Sequence, residues 1–316
     1  MVLARIVDAS YYLPERQVTN HELPEALDTT DEWIVKRTGI QSRHLLSDSE
    51  TAASMAILAC QRLLAKCDIN PDHVDSIIVA TSTAHTAMPS TACQIANQLG
   101  IDQAFALDVN AACSGFLYAL SLGKDRICTH ADRYCLVVGV DAMSRILDWS
   151  DRSTAVLFGD GAGCVLLESS PDKGLLAIRC GSESRGEQLL HVSGNLHTSD
   201  PSTLSMHGKE VFKFAVERLY TCARDLMQRH NIPSDSIDWV VPHQANIRIL
   251  DQVSRQIGIS PDRIVKTLDQ HANTSAASIP LALHTLLQSG NLKRGQRILF
   301  NAFGSGFTWG AAVCDF

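Results

Sequence analysis

A chain of 316 residues is too long for one small hydrophobic core, so it predicts either two domains or one large fold. Its 45% hydrophobic and 19% charged residues are typical of a soluble globular enzyme. The formal net charge of −7 disfavours a nucleic-acid-binding protein, and no run of about 18 apolar residues predicts a transmembrane helix.

The ten cysteines are scattered through apolar segments and include no C-x-x-C pair. They therefore predict small buried residues in a reducing compartment and argue against a zinc site or a disulfide framework. The N-terminal segment carries Asp8 soon after its start and lacks the layout of a signal peptide. We therefore expect a cytoplasmic location.

Strands and helices alternate along the first half of the chain. Short apolar runs predict strands at 5–13, 77–80, 105–109 and 134–140. Capping and periodicity predict helices at 29–37, from a cap at Ser49 to about residue 66, from Pro89 to Gly100, and from Ser114 onward. Residues 155–168 predict a strand pair or one bent strand, broken by the glycines at 159 and 161.

The second half of the chain repeats the first. Residues 75–79 match 238–241, and residues 134–138 match 297–301, both at an offset of 163. A repeat of this length predicts a duplicated α/β fold with largely buried strands. We expect two domains, at residues 1–170 and 171–316.

Cys113 is predicted to lie at a strand-to-helix turn, among the small residues Ala111, Ala112 and Ser114. The positive end of the helix dipole favours a thiolate there, and the thiolate is the nucleophilic form of cysteine. The alternative is a buried core cysteine. At an offset of 160, Cys113 falls on Asn273, so we expect both residues at the N-termini of equivalent helices that converge on one cleft.

Two further stretches carry candidate catalytic groups. His243 follows a predicted strand and precedes a helix, and the ends of such strands are where ligands bind in α/β folds. Asn273 lies in a run of small polar residues that opens a helix, where simple N-capping is the alternative. A glycine turn around Ser305 is predicted to place a backbone N–H beside a substrate oxygen, or else to be an ordinary β-turn.

Together these motifs resemble the β-ketoacyl-acyl-carrier-protein synthase III family along essentially the whole chain. The segments that carry the resemblance are 31–35, 37–40, 112–116, 159–163, 242–246, 273–278 and 306–310. The resemblance implies the thiolase-like fold, in which two similar α/β halves pack as αβαβα layers. It also implies a homodimer and an acyltransferase that initiates fatty acid synthesis.

The resemblance assigns a catalytic triad to Cys113, His243 and Asn273. Cys113 would take the acyl group of a short acyl-CoA, usually acetyl-CoA. His243 and Asn273 would then stabilise the enolate formed when malonyl-acyl carrier protein loses CO2. The backbone N–H groups of Cys113 and Ser305 would form the oxyanion hole. No metal or redox cofactor is expected, because CoA thioester and malonyl-acyl carrier protein are substrates.

The resemblance also assigns residues to substrate binding. The predicted CoA-binding residues are Thr29, Trp33, Arg37, Arg152, Gly208 and Asn246. Trp33 and Arg152 would enclose the adenine ring, and Arg37 would pair with a CoA phosphate. The alternative is that Trp33 belongs to the core and Arg152 to the surface.

Basic residues on two helices predict a dock for an acidic carrier protein. Lys209 and Lys213 are spaced i,i+4, and Arg248 and Arg255 are spaced i,i+7, so each pair shares a helix face. The resemblance favours Lys213 and Arg248, and Arg255 shares the helix face of Arg248, so we predict these three as the docking residues. The alternative is that these are merely solvated helix faces.

Three positions depart from the family pattern. Ser305 and Ala272 stand where glycine is usual or common, and Met88 replaces a frequent phenylalanine. By resemblance, Met88 would cross the dimer interface to the acyl pocket of the other subunit. The alternative is that it packs inside its own subunit.

Two alternative functions remain open at this point. A related condensing enzyme of secondary metabolism, of the alkylquinolone or polyketide type, would use the same triad on other acyl donors. A catalytically inactive acyl-binding partner would be expected to lack one of the three residues, and this chain has all of them. A hydrolase is disfavoured because the chain has no G-x-S-x-G motif.

Overall fold

The computed structural model describes residues 2–193 and 203–316. The first half contains β1 (Leu3–Tyr12), β2 (Gln17–Thr19), α1 (Asp31–Thr38), β3 (Ser42–His44), α2 (Ala52–Cys67), β4 (Ser76–Ala80), α3 (Thr91–Leu99), β5 (Phe105–Val109), α4 (Gly115–Thr129), β6 (Tyr134–Asp141), α5 (Arg152–Ala155) and β7 (Gly161–Ser170). The second half contains β8 (Leu175–Ser182), β9 (Leu190–Ser193), β10 (Thr203–Met206), α6 (Gly208–Arg229), β11 (Trp239–Pro242), α7 (Ile247–Ile257), α8 (Leu268–His271), α9 (Ser278–Gln288), β12 (Arg297–Gly304) and β13 (Thr308–Asp315).

Three local predictions were wrong in detail. Helix α2 is capped by Thr51 rather than Ser49, since the Thr51 hydroxyl accepts a hydrogen bond from the Ser54 N–H at 3.1 Å. Helix α3 begins after Ser90, which caps it in the same way, and not at Pro89. The segment 155–168 is the end of helix α5, a turn and the start of β7, because the backbone N–H of Gly159 is bonded to Asn273 and not to a strand.

The two main sheets have the same topology. The first has the order β5-β4-β6-β7-β1, and the second has the order β11-β12-β13-β8. In the first sheet β4 and β6 pair parallel, and the β6–β7 and β7–β1 pairs are antiparallel. In the second sheet β11 and β12 pair parallel, and the β12–β13 and β13–β8 pairs are antiparallel. The place of β5 in the second sheet is taken by a single bridge between Val240 and Ile264. The chain is therefore a duplicated α/β fold, as the sequence repeat predicts.

The hydrophobic clusters arrange these elements in five layers. Helices α2 and α3 cover the outer face of the first sheet, and helices α6 and α7 cover the outer face of the second. Helices α4 and α9 lie between the sheets, in a cluster that contains residues of both. Alternate side chains of β6 face opposite layers, so that Val137 packs against the central helices and Val138 against α2.

The central helices correct the offset assigned to the catalytic residues. Helices α4 and α9 begin 163 residues apart. Ala112, just before α4, and Ser275, just before α9, are also 163 residues apart, and both have a left-handed φ near +50°. The structural counterpart of Cys113 is therefore Ala276, and Asn273 lies three residues earlier. The predicted equivalence of Cys113 and Asn273 was wrong, although both lie where the two helix starts meet.

Two further expectations concern cysteines and membranes. All ten cysteines are free. Over residues 2–193 and 203–316, no helix is both long enough and apolar enough to cross a membrane. The same described ranges contain no cluster of His, Cys, Asp and Glu side chains suited to a metal ion.

Candidate active site

Cys113 lies in the turn between β5 and α4. A 3-10 turn at Ala112–Ser114 leads directly into α4, so the thiol is at the beginning of the helix as predicted. The side chain is only 8% exposed. The Ser275 hydroxyl donates a hydrogen bond to the Cys113 Sγ at 3.4 Å, which links the two helix starts through side chains.

The electrostatics of Cys113 differ from the expectation. Burial raises the pKa of the Cys113 thiol to about 12, while the hydrogen bond from Ser275 acts in the opposite direction. Burial therefore outweighs the pull of the helix N-terminus toward the thiolate. The cavity holds a neutral thiol at pH 7, and its proton has to leave as the sulfur forms a bond to an acyl carbon.

His243 lies directly after β11, with its side chain 4% exposed. Its backbone N–H donates to the Asn301 carbonyl at 2.8 Å, and its Nδ1 lies 2.7 Å from the Ser278 Oγ. Burial lowers the pKa of His243 to about 4, so the imidazole is neutral at pH 7. The side chain therefore offers a neutral N–H donor rather than a positive charge.

Asn273 is held by both its backbone and its side chain. Its N–H donates to the Leu157 carbonyl at 2.9 Å, and its Oδ1 accepts from the Ser275 N–H at 2.8 Å. Because the amide oxygen is engaged, the Nδ2 group is the part left to donate to a ligand. Ala272, just before it, has a φ of 55°, in the region that favours glycine.

Cys113, His243 and Asn273 line one cavity of about 110 Å³. The elements that carry them come from both halves of the fold: α4 from the first, and the segments after β11 and before α9 from the second. Other walls are apolar and come from Phe158, Leu190, Phe212 and Phe303, among others. The structure thus brings the three predicted catalytic side chains together in a site that excludes most water.

Gly304 ends β12, and Ser305 begins the predicted glycine turn beside Cys113. A Cβ atom at Gly304 would lie 2.8 Å from the Cys113 nitrogen and 3.0 Å from the Ser114 nitrogen. The space in front of these N–H groups therefore exists only because residue 304 is glycine. The Ser305 hydroxyl donates to the Leu190 carbonyl, so this departure from glycine is accommodated by a hydrogen bond.

The residues predicted to bind CoA divide into two groups. Gly208 and Asn246 line the cavity that contains Cys113. Trp33 lies away from it, with the Arg37 guanidinium 4.8 Å and the Arg152 guanidinium 5.2 Å from its ring centroid. Arg152 therefore stacks directly on Trp33, whereas the resemblance implies that the two side chains enclose an adenine ring. An adenine ring would have to displace the half-exposed Arg152 side chain.

Thr29 lies shortly before α1, the helix that carries Trp33. Its Oγ1 is buried and has no hydrogen-bond partner within the described residues. An unpaired buried hydroxyl is costly for a folded protein unless a ligand satisfies it.

The predicted docking residues lie on two helices that pack together. Helices α6 and α7 contact each other, and the Arg248 guanidinium lies 5.6 Å from the ring centroid of Phe212. This contact places Arg248 beside exposed Lys213, close to the wall that Phe212 contributes to the cavity. Arg255 is exposed two turns further along α7. The basic side chains therefore lie near the cavity entrance.

A second cavity, of about 270 Å³, begins on the other side of Cys113. It is lined by Cys113 together with Ser82, Asn110, Ala112, Met143, Ile146, Phe158, Leu190, His191, Val192, Leu204, Ser275 and Ser305. Met88 does not line it in its own chain and is 83% exposed, which excludes packing inside its own subunit. Cys113 thus lines two cavities, and the second has both apolar and polar walls.

Sequence reasoning missed three polar residues at the centre of the site. Ser275 and Ser278 lie in a recognised motif, yet only the structure shows that they contact Cys113 and His243. Asp141 is fully buried, and its carboxylate accepts hydrogen bonds from the backbone N–H groups of Ser82 and Ala276. Burial raises the pKa of Asp141, and these donors oppose the rise. The sequence signal that could have identified Asp141 is its position as an acidic residue at the end of the apolar strand β6.

A buried cysteine, histidine and asparagine at the meeting point of two duplicated α/β halves define a thiolase-like condensing enzyme. The family model for 3-oxoacyl-[acyl-carrier-protein (ACP)] synthase III matches residues 107–184. A second model, for the C-terminal part of the same family, matches residues 227–316. The β-ketoacyl-[acyl-carrier-protein] synthase III of Roseobacter denitrificans is 45% identical, with 98% of each chain covered. The chain belongs to the β-ketoacyl-[acyl-carrier-protein] synthase III family, and it is an acyltransferase of fatty acid synthesis.

Solved structures agree with this assignment. The 3-oxoacyl-[acyl-carrier-protein] synthase III from Aquifex aeolicus has a TM-score of 0.94 and 38% identity, covering 99% of this chain and 100% of that chain. The priming β-ketosynthase of the R1128 polyketide pathway has the same TM-score at 34% identity, covering 98% and 96%. The fold alone therefore does not separate fatty acid from polyketide priming, whereas the curated relative is a synthase III.

The space in front of the Cys113 N–H leads to a first prediction. Gly304→Ala should reduce condensation by about 10²-fold or more, because the new methyl group fills the place of the oxyanion. Steady-state release of CoA and condensation product would be measured, with thermal unfolding as the control for folding. Near-normal turnover by a folded Gly304→Ala protein would show that the oxyanion does not bind there.

Proposed function

We propose that the chain condenses a short acyl group with malonyl-acyl carrier protein through an acyl-Cys113 intermediate. In the first half-reaction, the Cys113 sulfur attacks the thioester carbonyl of an acyl-CoA, acetyl-CoA by family resemblance. The C–S bond to CoA breaks, and CoA leaves with the proton that the thiol loses. The N–H groups of Cys113 and Ser305 hold the oxyanion during the transfer.

In the second half-reaction, malonyl-acyl carrier protein occupies the same cavity and loses CO2. The electrons of the broken C–C bond move to the thioester, whose oxygen becomes an enolate. The Nε2–H of His243 and the Nδ2–H of Asn273 donate to that oxygen. The resulting carbanion attacks the acyl group on Cys113, and the C–S bond breaks to give the 3-oxoacyl product and the Cys113 thiolate. The thiolate then takes up a proton from solvent. Neutral donors fixed in advance favour this transition state over the ground state.

One observation carries this proposal: the three side chains line a single buried cavity although they come from distant parts of the chain. The orientation of two of them supports it further, since the Asn273 Oδ1 and the His243 Nδ1 are engaged elsewhere. An inactive acyl-binding partner would need no such pair of aligned donors. The chemistry uses this chain's own side chains and two thioester substrates, and we propose that no metal or redox cofactor takes part.

The free cysteines bear on where the enzyme works. All ten are unpaired, and several are buried among apolar side chains. Free thiols persist in a reducing compartment, which supports a cytoplasmic location.

The two half-reactions can be separated by substitution. Cys113→Ala should abolish acyl transfer and retain malonyl decarboxylation, because the enolate donors remain. Asn273→Ala should still acquire an acyl group from acetyl-CoA but decarboxylate about 10²-fold more slowly, since one donor is removed. Intact mass spectrometry measures the acyl-enzyme, and CO2 release measures decarboxylation.

Each variant acts as the control for the other. An acyl adduct on the Cys113→Ala protein would show that the nucleophile is a residue other than Cys113. Wild-type condensation by Asn273→Ala would remove Asn273 from the mechanism.

We also propose that the basic residues on α6 and α7 dock the acidic carrier protein. Lys213, Arg248 and Arg255 are exposed, and Arg248 stands closest to the cavity through its contact with Phe212. The chain has an overall charge of −7, so attraction to an acidic partner must be local.

Arg248→Glu should raise the KM for malonyl-acyl carrier protein and reduce its dependence on salt, while acylation by acetyl-CoA changes less. The matched control is Arg229→Glu, the same charge change at the far end of α6, about 30 Å from Gly208. Equal losses in both half-reactions, or equal effects of the two variants, would contradict a role in carrier docking.

A dimer is the third part of the proposal. Among residues 2–193 and 203–316, strand β5 pairs only with β4, and Phe105 and Leu107 on this edge strand are exposed. An apolar edge strand favours pairing with a second copy. Met88 precedes α3, and its side chain is exposed. By family resemblance it would enter the second cavity of the other subunit.

The adaptable shape of methionine leads to a prediction about acyl donors. Met88→Phe should penalise acylation of Cys113 by butyryl- and hexanoyl-CoA more than by acetyl-CoA, by about 1–3 kcal/mol in relative kcat/KM. The rate of acyl-enzyme formation by mass spectrometry measures this ratio. Met88→Leu, which keeps a flexible aliphatic side chain, is the control. An unchanged ratio in Met88→Phe would show that residue 88 does not border the acyl pocket.

A further inference from the structure

The backbone on either side of the His243 ring is fixed independently of the ring. The His243 N–H is bonded to Asn301, and the Gln244 side chain donates to the Pro242 carbonyl at 2.8 Å and accepts from the Thr267 N–H at 2.9 Å. The ring itself has one polar contact within the described residues, between Nδ1 and the Ser278 Oγ at 2.7 Å. Orientation and protonation of the imidazole therefore depend on Ser278.

The single proton of the Ser278 hydroxyl determines the tautomer of His243. The Oγ accepts a hydrogen bond from the Gln244 N–H at 3.3 Å, and the hydroxyl has one proton of its own to donate. Within the described residues, the His243 Nδ1 is the one acceptor at hydrogen-bonding distance from that hydroxyl. If Nδ1 carried the proton instead, the Ser278 Oγ would receive two N–H donors and its own proton would be left buried without an acceptor.

We propose that Ser278 is a positioning residue that donates to the His243 Nδ1 and so keeps the proton on Nε2, where the enolate oxygen needs a donor. The inference rests on the proposed function, because it concerns the decarboxylation step assigned to His243. Ser278 is 1% exposed and is the first residue of α9, so the helix fixes the direction of the hydroxyl. A hydroxyl orients the ring without adding a charge, and burial keeps the pKa of His243 at about 4.

The neighbouring Ser275 shows why the effect should be confined to one half-reaction. Ser275 lies three residues earlier in the same helix start, and its hydroxyl contacts the Cys113 Sγ rather than His243. Ser278 contacts His243 and the Gln244 backbone but not Cys113. Loss of the Ser278 hydroxyl should therefore affect decarboxylation and leave acylation of Cys113 intact.

The direct test is nitrogen-15 NMR of histidine-labelled enzyme, with His243→Gln used to assign the signal of residue 243. The wild-type spectrum should show the Nε2–H tautomer of a neutral ring, and Ser278→Ala should show a second tautomer or an averaged signal. Malonyl decarboxylation by Ser278→Ala should fall about tenfold or more, the scale known for loss of a group that orients a metal-binding histidine. The rate of acyl-enzyme formation with acetyl-CoA should stay at the wild-type value.

A double substitution separates this role from a structural one. Glutamine at position 243 can donate through its amide but has no tautomers, so Ser278→Ala should have almost no further effect in the His243→Gln background. A merely structural role for Ser278 would give the same loss in both backgrounds. Ser289→Ala, near the end of α9, is the matched control, because its hydroxyl bonds only to the local backbone. If Ser278→Ala does not fold, Ser278→Thr retains the hydroxyl and should retain the Nε2–H signal.

The outcomes distinguish the inference from the function on which it rests. Unchanged decarboxylation by His243→Ala would refute the assigned role of His243, and with it the proposed function. The positioning role alone would be refuted if His243→Ala decarboxylated malonyl-acyl carrier protein slowly while Ser278→Ala kept both the Nε2–H signal and the wild-type decarboxylation rate.

Discussion

The active site depends on the close approach of the two central helix starts between the sheets. A Cβ atom at Gly139 would lie 2.2 Å from the Ala276 carbonyl oxygen, so strand β6 can touch the start of α9 only because residue 139 is glycine. The left-handed turns at Ala112 and Ser275 then direct Cys113 and the 275–278 segment toward each other. Close packing of small residues, rather than any ion pair, holds the catalytic groups in place.

Burial has opposite effects on the two titratable groups of the site, and both favour neutrality. It raises the pKa of Cys113 to about 12 and lowers the pKa of His243 to about 4. The resting cavity therefore carries no net charge from either residue at pH 7. Charge appears only when a thioester reacts, at the oxyanion or the enolate oxygen. Fixed N–H donors stabilise such transient charge strongly because little water competes for them in a buried site.

Much of this architecture could be predicted from local sequence patterns. The bounds of β5, the position of Cys113 before α4 and the position of His243 after β11 follow from apolar runs and helix signals. The repeat offset of 163 between matching strands also predicts that the two sheets share one topology. These features depend on burial patterns, which a single sequence contains.

Other features depend on tertiary contacts that local patterns do not contain. The counterpart of Cys113 was wrongly assigned to Asn273, which has a catalytic type of side chain. The true counterpart, Ala276, has no functional group and is identified only by its backbone position before α9. Arg152 stacks on Trp33 although the two residues are 119 positions apart, and the family resemblance implies only that both contact the ligand. The contact between Ser278 and His243 joins residues 35 positions apart, so it could be found only by folding the chain.

The duplication also explains why only one of two equivalent sites is catalytic. Gly304 and Asp141 are 163 residues apart, at the ends of the matching strands β12 and β6. At Gly304 the missing side chain leaves the N–H of Cys113 open, whereas the Asp141 carboxylate bonds the N–H of Ala276, the counterpart of Cys113, at 3.1 Å. The position that would hold an oxyanion in one half is thus filled by a side-chain carboxyl group in the other. That carboxylate anchors the start of α9, from which Ser275 and Ser278 reach the catalytic pair, so the inactive half supports the active one.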